Sequence, residues 1–246
     1  MKTFYLPHYN ERQTNIDTLV IHCSAQSSKQ MLTTLDTLKL STHYIIGPKG
    51  GIIKCVDEEK RAWHAGQSFW RNNEDINSCS IGIEMSSPLL GQYPYTPRQI
   101  NTLKSLCSDI IKRYNIPSYN IVGHSDIAPT RKPDPGLAFA WQELACSGIG
   151  IWYNIKDAKK ILITDIAKLL SLIGYNTKDY QTTQASAYAF CRRFLPQFVK
   201  IENDINKLID NILPDDFSFM NEAIFIKTLQ AVAYAYCKAS NTPCKI

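Results

Sequence analysis

The chain has no CxxC pair, no low-complexity tract and no apolar run near the roughly 20 residues of a bilayer span. The first absence removes zinc ribbons and thioredoxin-like redox motifs. The second removes disordered and collagen-like chains, and the third an integral membrane segment. Strong charge of one sign is lacking as well: 27 Lys and Arg against 22 Asp and Glu leave a formal +5 over 246 residues. So mild an excess suits an anionic substrate and does not call for nucleic acid. Met1–His8 contains no apolar h-region, so no secretory leader is expected. Eight cysteines stand at positions 23, 55, 79, 107, 146, 191, 237 and 244, spaced for neither a small disulfide scaffold nor a zinc ribbon. Free thiols in a reducing compartment, and hence a cytoplasmic location, are the expectation. What remains is globular: hydrophobic residues are 44% and charged residues 20%, enough to bury a substantial core.

The character of the chain changes near residue 150. Before it, β-branched apolar runs read as strands: Asp17–His22, Thr42–Ile46, Ser80–Met85 and Tyr119–His124. Gly47-Pro48-Lys49-Gly50-Gly51 links Thr42–Ile46 to Ile52–Val56 as a hairpin. Thr96 and Pro97 open a helix whose apolar stripe is Ile100, Leu103, Leu106, Cys107, Ile110 and Ile111. After the junction Gly148–Tyr153 the strand signals stop. Helices are predicted over Lys159–Ile173 (with Gly174 as C-cap), Tyr180–Phe194, Val199–Leu213 and Phe219–Lys238.

His22 and His124 each end an apolar strand and are followed by small polar residues, where side chains leave the core for a loop-built site. Two imidazoles and a carboxylate make the three-ligand pattern of a catalytic Zn²⁺ site. The sequence alone leaves Asp126 and Asp134 both open as the carboxylate. Cys23 is a poorer ligand, because neighbouring strand side chains face opposite ways. Glu84 ends the strand Ile81-Gly82-Ile83, where a carboxylate is costly unless paired, for instance with Lys132, or working as a general base. The stretch Arg61–Asn72 is rich in aromatic and hydrogen-bonding groups and reads either as a packed surface loop or as a sugar- or peptide-binding wall.

Six ordered motifs carry a resemblance. They are Leu19-Val20-Ile21-His22-Cys23-Ser24, His43-Tyr44-Ile45-Ile46, Ala62-Trp63-His64-Ala65-Gly66, Ser80-Ile81-Gly82-Ile83-Glu84, Gly123-His124-Ser125-Asp126-Ile127-Ala128-Pro129 and Arg131-Lys132-Pro133-Asp134-Pro135-Gly136. With these the chain resembles the zinc-dependent N-acetylmuramoyl-L-alanine amidases of type 2, the AmpD/AmiD-like family, over roughly residues 15–150. A shorter match at Leu170–Tyr175 and Ala189–Pro196 resembles the helical peptidoglycan-binding domain attached to some members.

The resemblance implies an α/β fold, a mixed central β-sheet flanked by helices like the peptidoglycan recognition proteins, with a small all-α C-terminal domain. The domains would be residues 1–152 and 157–246, with a small contact between them near Trp152. It implies one Zn²⁺ per chain on His22, His124 and Asp134, with Glu84 as general base and Lys132 stabilising the oxyanion. His43, Trp63, His64, Ala65, Trp70, Arg71 and Asn77 are the implied substrate-binding residues. Thr42 replaces a tyrosine found in relatives that lack the glutamate, which places the chain in the glutamate-dependent branch. The implied reaction is hydrolysis of the amide between N-acetylmuramic acid, or its 1,6-anhydro form, and L-alanine of the stem peptide, in cell-wall turnover or muropeptide recycling. The alternative is a non-catalytic recognition module on the same fold, which usually lacks a metal ligand or the base. The added helical domain favours the competing location, periplasmic or envelope-associated action on intact murein. Tyr175, Tyr180, Tyr188, Phe190 and Phe194 are candidates for a glycan groove, with Phe190 and Phe194 assigned to core.

Overall fold

The structure, a computed structural model, describes residues 1–243; Cys244 lies outside them. The first part runs Lys2–Thr3 (β1), Tyr9–Glu11 (β2), Thr18–Ser24 (β3), Ser28–Thr37 (α1), Tyr44–Ile46 (β4), Ile52–Lys54 (β5), Lys60–Ala62 (β6), Ile76–Cys79 (α2), Ser80–Ser86 (β7), Pro97–Tyr114 (α3), Ile121–Gly123 (β8), His124–Ile127 (α4) and Trp141–Cys146 (α5). The tail adds Ile166–Ile173 (α6), Tyr180–Phe194 (α7), Ile205–Ile209 (α8) and Ala223–Ser240 (α9).

Six strands form one sheet in the order β1-β5-β4-β7-β3-β8, and β2 pairs with β6 as a separate ribbon. Only β4 and β5 pair antiparallel in the large sheet, as the hairpin the glycine-rich turn predicts. The period-2 alternation of the central strands decides what each face meets. Leu19 and Ile21 of β3 and Ile81 and Ile83 of β7 pack on the α3 stripe of Ile100, Leu103, Leu106, Cys107 and Ile110. On the opposite face Val20 of β3 and Val122 of β8 meet the tail, in one cluster with Leu169, Ile173, Phe190, Phe225, Leu229 and Val232. At about 1.5–3 kcal/mol for each large apolar side chain fully buried, this cluster is a main support of the fold.

That shared core replaces the small contact predicted near Trp152, because the apolar even-numbered face of β3 and β8 is covered by the tail itself. In the tail, Tyr180–Phe194 forms as the periodicity predicts, whereas the predicted helices over Lys159–Ile173 and Val199–Leu213 are shorter. Ile155–Lys160 is a 3₁₀ turn and α6 starts only at Ile166. The extended segment between them survives because Gln230 Nε2 donates to the carbonyls of Ile161 and Ile163, and Asp165 caps the following helix through Lys168 N. The predicted Val199–Leu213 helix shrinks to α8, capped by Asp204 and ended by Asn211 in a left-handed conformation before Pro214. Gly174 does terminate α6. Helix α1 has no counterpart in the sequence reading, although the capping box Ser27–Gln30 marks its start.

Candidate active site

Three parallel strands deliver their carboxyl ends to one place, where open α/β sheets bind ligands. His22 sits near the end of β3, and Glu84 is its register partner on β7. His124 follows β8 directly, and Asp134 returns on the loop after α4. His22 Nδ1 lies 2.9 Å from His124 Nδ1 and 3.8 Å from Asp134 Oδ2, and His124 Nδ1 lies 3.3 Å from the same oxygen.

The outer sides of these groups are engaged. His124 Nε2 faces the Ala65 carbonyl at 3.3 Å, so that nitrogen carries the proton and Nδ1 presents a lone pair. His22 Nε2 lies 2.9 Å from His64 Nδ1, and His64 Nε2 lies 3.2 Å from Ser80 Oγ. The backbone N–H of Cys23 donates to Asp134 Oδ2, while the Cys23 thiol turns to the other face, as the alternation requires. Gly82 makes room for this chain of rings, since a Cβ there would come within 2.5 Å of His64 Cγ. Burial, reinforced by His124, holds His22 well below the ordinary imidazole range. Burial alone would raise Asp134, but His124 and His22 overcome it and hold the carboxyl well below the usual range.

The donor set fits a divalent cation. Tetrahedral zinc with bonds of about 2.0–2.1 Å sets its ligand atoms about 3.3–3.4 Å apart, the middle of the separations found here. His22, His124 and Asp134 are all buried, and their ligand atoms lie within 4.8 Å of one another. Glu84 Oε2 is sealed from solvent and has no hydrogen-bond partner among the described residues. Burial, then the charge of Asp134, pushes Glu84 up to about 8, against the opposing pull of Lys132. Among the described residues Glu84 and Lys132 form no ion pair; both line a cleft of about 320 Å³ with His124, Asp134, Trp63 and His64.

The family whose description is N-acetylmuramoyl-L-alanine amidase matches residues 12–137. AmiD of Escherichia coli K12, an N-acetylmuramoyl-L-alanine amidase, is 37% identical over 216 residues, covering 77% of this chain and 78% of that one. The chain belongs to this amidase family. The structure of E. coli AmiD in complex with anhydro-N-acetylmuramic acid-L-Ala-D-γ-Glu-L-Lys matches it with a TM-score of 0.72 and 31% identity, over 95% of this chain and 94% of that one. AmpD of Enterobacter cloacae, a 1,6-anhydro-N-acetylmuramyl-L-alanine amidase, is 44% identical over 104 residues, 42% of this chain and 54% of its own. The mixed sheet with flanking helices is the architecture the resemblance implies. Among the described residues, no helix of the amidase is long and apolar enough to cross a membrane.

Of the implied substrate-binding residues, Trp63 and His64 line the cleft. The other five have different contacts. His43 is fully buried: Gly82 N–H donates to its Nδ1, its Nε2 faces the Lys60 carbonyl and Arg12, and burial together with Arg12 lowers it to about 3. Asn77 Oδ1 accepts from the backbone of His64 and Ala65, and so shapes the loop from behind. Ala65 offers its carbonyl to His124. Trp70 donates to the Tyr119 carbonyl inside the shared core, and Arg71 donates to the Ile173 carbonyl while stacking on Tyr119.

That Asp134 and not Asp126 joins the cluster, and that Phe190 and Phe194 are core, agree with the sequence reading; the tail partners of Asp126 and the reach of Ile209 have no counterpart in it. Asp126 is no ligand atom of the cluster: it accepts from Gly123 N–H, Tyr175 OH and Arg193 Nη1. Tyr175 is therefore core, as are Tyr188, Phe190 and Phe194, whereas Tyr180 is exposed. Ile209 of α8 reaches the cleft wall from the tail. Nothing in the local pattern around Ile209 or Arg193 marks these long-range partners.

Proposed function

We propose that the amidase holds one Zn²⁺ on His22, His124 and Asp134. On this reading it hydrolyses the amide between N-acetylmuramic acid, including its 1,6-anhydro form, and L-alanine of the stem peptide, in cell-wall turnover or recycling. The observation that carries the reading is the buried three-ligand cluster beside a carboxylate whose Oε2 is sealed and, among the described residues, unpartnered. Bound zinc supplies a Lewis acid that polarises the scissile carbonyl and brings the pKa of water to about 7. Glu84 takes the proton of the attacking water. It can then pass that proton to the leaving amine. Lys132, in the same cleft, faces the developing oxyanion.

Trp63 and His64 are the wall contacts we assign to substrate, and Asn77, His43, Ala65, Trp70 and Arg71 support that wall. The segment 157–246 we assign to substrate binding rather than chemistry, supported by Ile209 in the cleft and by the likeness to AmiD along nearly the whole chain. The compartment we propose is the cytoplasm, because Cys23, Cys55, Cys79, Cys107, Cys146 and Cys191 are free thiols and all but Cys146 are buried. A non-catalytic recognition module would lack a ligand or the base, and this chain carries both.

Metal analysis and hydrolysis of anhydro-muropeptide by the purified protein test the reading. Glu84→Gln is expected to retain zinc and lose turnover by about 10²–10⁴. Wild-type turnover in protein shown to hold no metal would overturn the zinc assignment.

A further inference from the structure

A second cavity of about 520 Å³ lies beside the cleft, between the tail and the loop that carries Lys132 and Asp134. The two spaces share part of their lining. Pro133 lines both, and α8 turns Leu208 to the cavity and its neighbour Ile209 to the cleft. Two independent features mark the cavity as more than a packing defect.

The first is Arg192. It is 8% exposed and lines the cavity, yet among the described residues no carboxylate lies within ion-pair distance of it. Its guanidinium lies over the Tyr188 ring at 4.6 Å, donates to Asn211 Oδ1 at 2.8 Å and reaches the Lys132 carbonyl at 3.5 Å. Asp134 acts on it only through space, and a buried cation with no carboxylate in contact is costly unless something anionic joins it. The second feature is Gln92, 7% exposed, whose Oε1 is sealed and has no donor among the described residues. The rim is basic on balance, with Lys200 and Lys207 added to Arg192 against Glu202 and Asp215.

The cavity thus offers a buried cation to an anion, and Gln92 in its wall keeps an acceptor for an N–H or O–H donor. A peptide residue with a free carboxylate next to its own acylated nitrogen meets both demands at once. A γ-linked glutamyl residue and a C-terminal residue each have this pair. We propose that the cavity is a carboxylate subsite for a stem peptide, with Arg192 and Lys207 on the carboxylate and Gln92 on the neighbouring amide. This rests on the muropeptide reading given above and extends it to where the peptide goes after passing Pro133 and Ile209.

The test uses the zinc-loaded full chain and two probes. One is an anhydro-muropeptide with its peptide carboxylates either free or amidated. The other is the free stem tripeptide. Amidation is expected to raise KM by about tenfold with little change in kcat, since a charge-assisted hydrogen bond is lost from binding. Lys207→Glu, at an exposed rim position, is expected to raise KM for the free-carboxylate substrate by a similar factor and to leave the amidated one unchanged within about twofold. Gln92→Leu should do the same more weakly, and Arg192→Lys should rescue part of what Arg192→Gln loses. The free tripeptide should shift the side-chain NMR signals of Arg192 and Gln92 in the wild-type protein. Shifts without a KM effect would assign the subsite to a peptide from a neighbouring strand. Unmoved signals together with unchanged KM ratios would overturn it. The NMR readout stands even if no muropeptide is hydrolysed, so failure of the subsite and failure of the amidase reading are separable.

Discussion

Asp126 in α4 and Asp134 on the loop that follows it lie eight residues apart, both buried, yet they do opposite work. Asp126 faces the tail and is saturated: Gly123 N–H, Tyr175 OH and Arg193 Nη1 all donate to it, and Arg193 closes a 2.7 Å ion pair. Asp134 faces the carboxyl ends of the strands, where Cys23 N–H donates to its Oδ2 and two imidazole nitrogens stand 3.3 and 3.8 Å from that oxygen. A saturated carboxylate fixes a backbone; an under-coordinated one beside two lone pairs is ready for a cation. This segment is thus bolted on one side so that its other side can hold a metal.

The most severe way to break this comparison is to remove the bolt. Cutting the chain after residue 156 removes Tyr175 and Arg193 and bares Val20 and Val122. Residues 1–156 alone are expected to show no cooperative thermal transition, and the full chain to show one. A transition within about 5 °C of the full chain would mean that the catalytic part stands by itself.

Exchanging the two carboxylates for amides tests the comparison directly. Asp134→Asn is expected to lose zinc and activity while keeping the fold. Asp126→Asn leaves Arg193 buried and unpaired, at a cost of about 3–5 kcal/mol, and should retain the metal. Metal content and thermal unfolding of the two proteins read both outcomes. Zinc loss in Asp126→Asn with unchanged stability would reverse the roles.

Much of the site was legible because it lies where strands end. His22, Glu84 and His124 are polar residues at the ends of apolar runs, a pattern that needs no tertiary knowledge. The hairpin, the α3 stripe and the Gly174 cap follow from equally local signals. The choice between Asp126 and Asp134 did not, because it depends on Arg193 and Tyr175, 67 and 49 residues away along the chain. The tail misled for the same reason. Its periodicity predicts a helix through Ile161–Asp165, but Gln230 satisfies those carbonyls in an extended form. His43 shows the converse: a motif residue that reads as a substrate contact is spent on holding Gly82 and Lys60 together.

The smallest expected effect concerns Glu84, which only one side of that segment can influence. Its pKa is raised to about 8 by burial and then by the charge of Asp134, and Asp126 is not among its causes. In protein stripped of metal, the folded state therefore holds a proton that the unfolded state releases above its ordinary value of 4.5. The folded state binds more protons across that window, so this contribution to stability is full below the unfolded value and is lost as pH rises through about 8. Glu84→Gln, which never ionises, should gain thermal stability relative to wild type as pH goes from 5 to 9, at about 2–4 °C for each kcal/mol of slope removed. Asp134 has the opposite sign and loses its contribution toward acid, but it is present in both proteins and cancels in the difference. Asp134→Asn should flatten part of the same slope, and Asp126→Asn should leave it intact. Parallel melting curves for wild type and Glu84→Gln across this range would show that Glu84 is not held protonated by the fold.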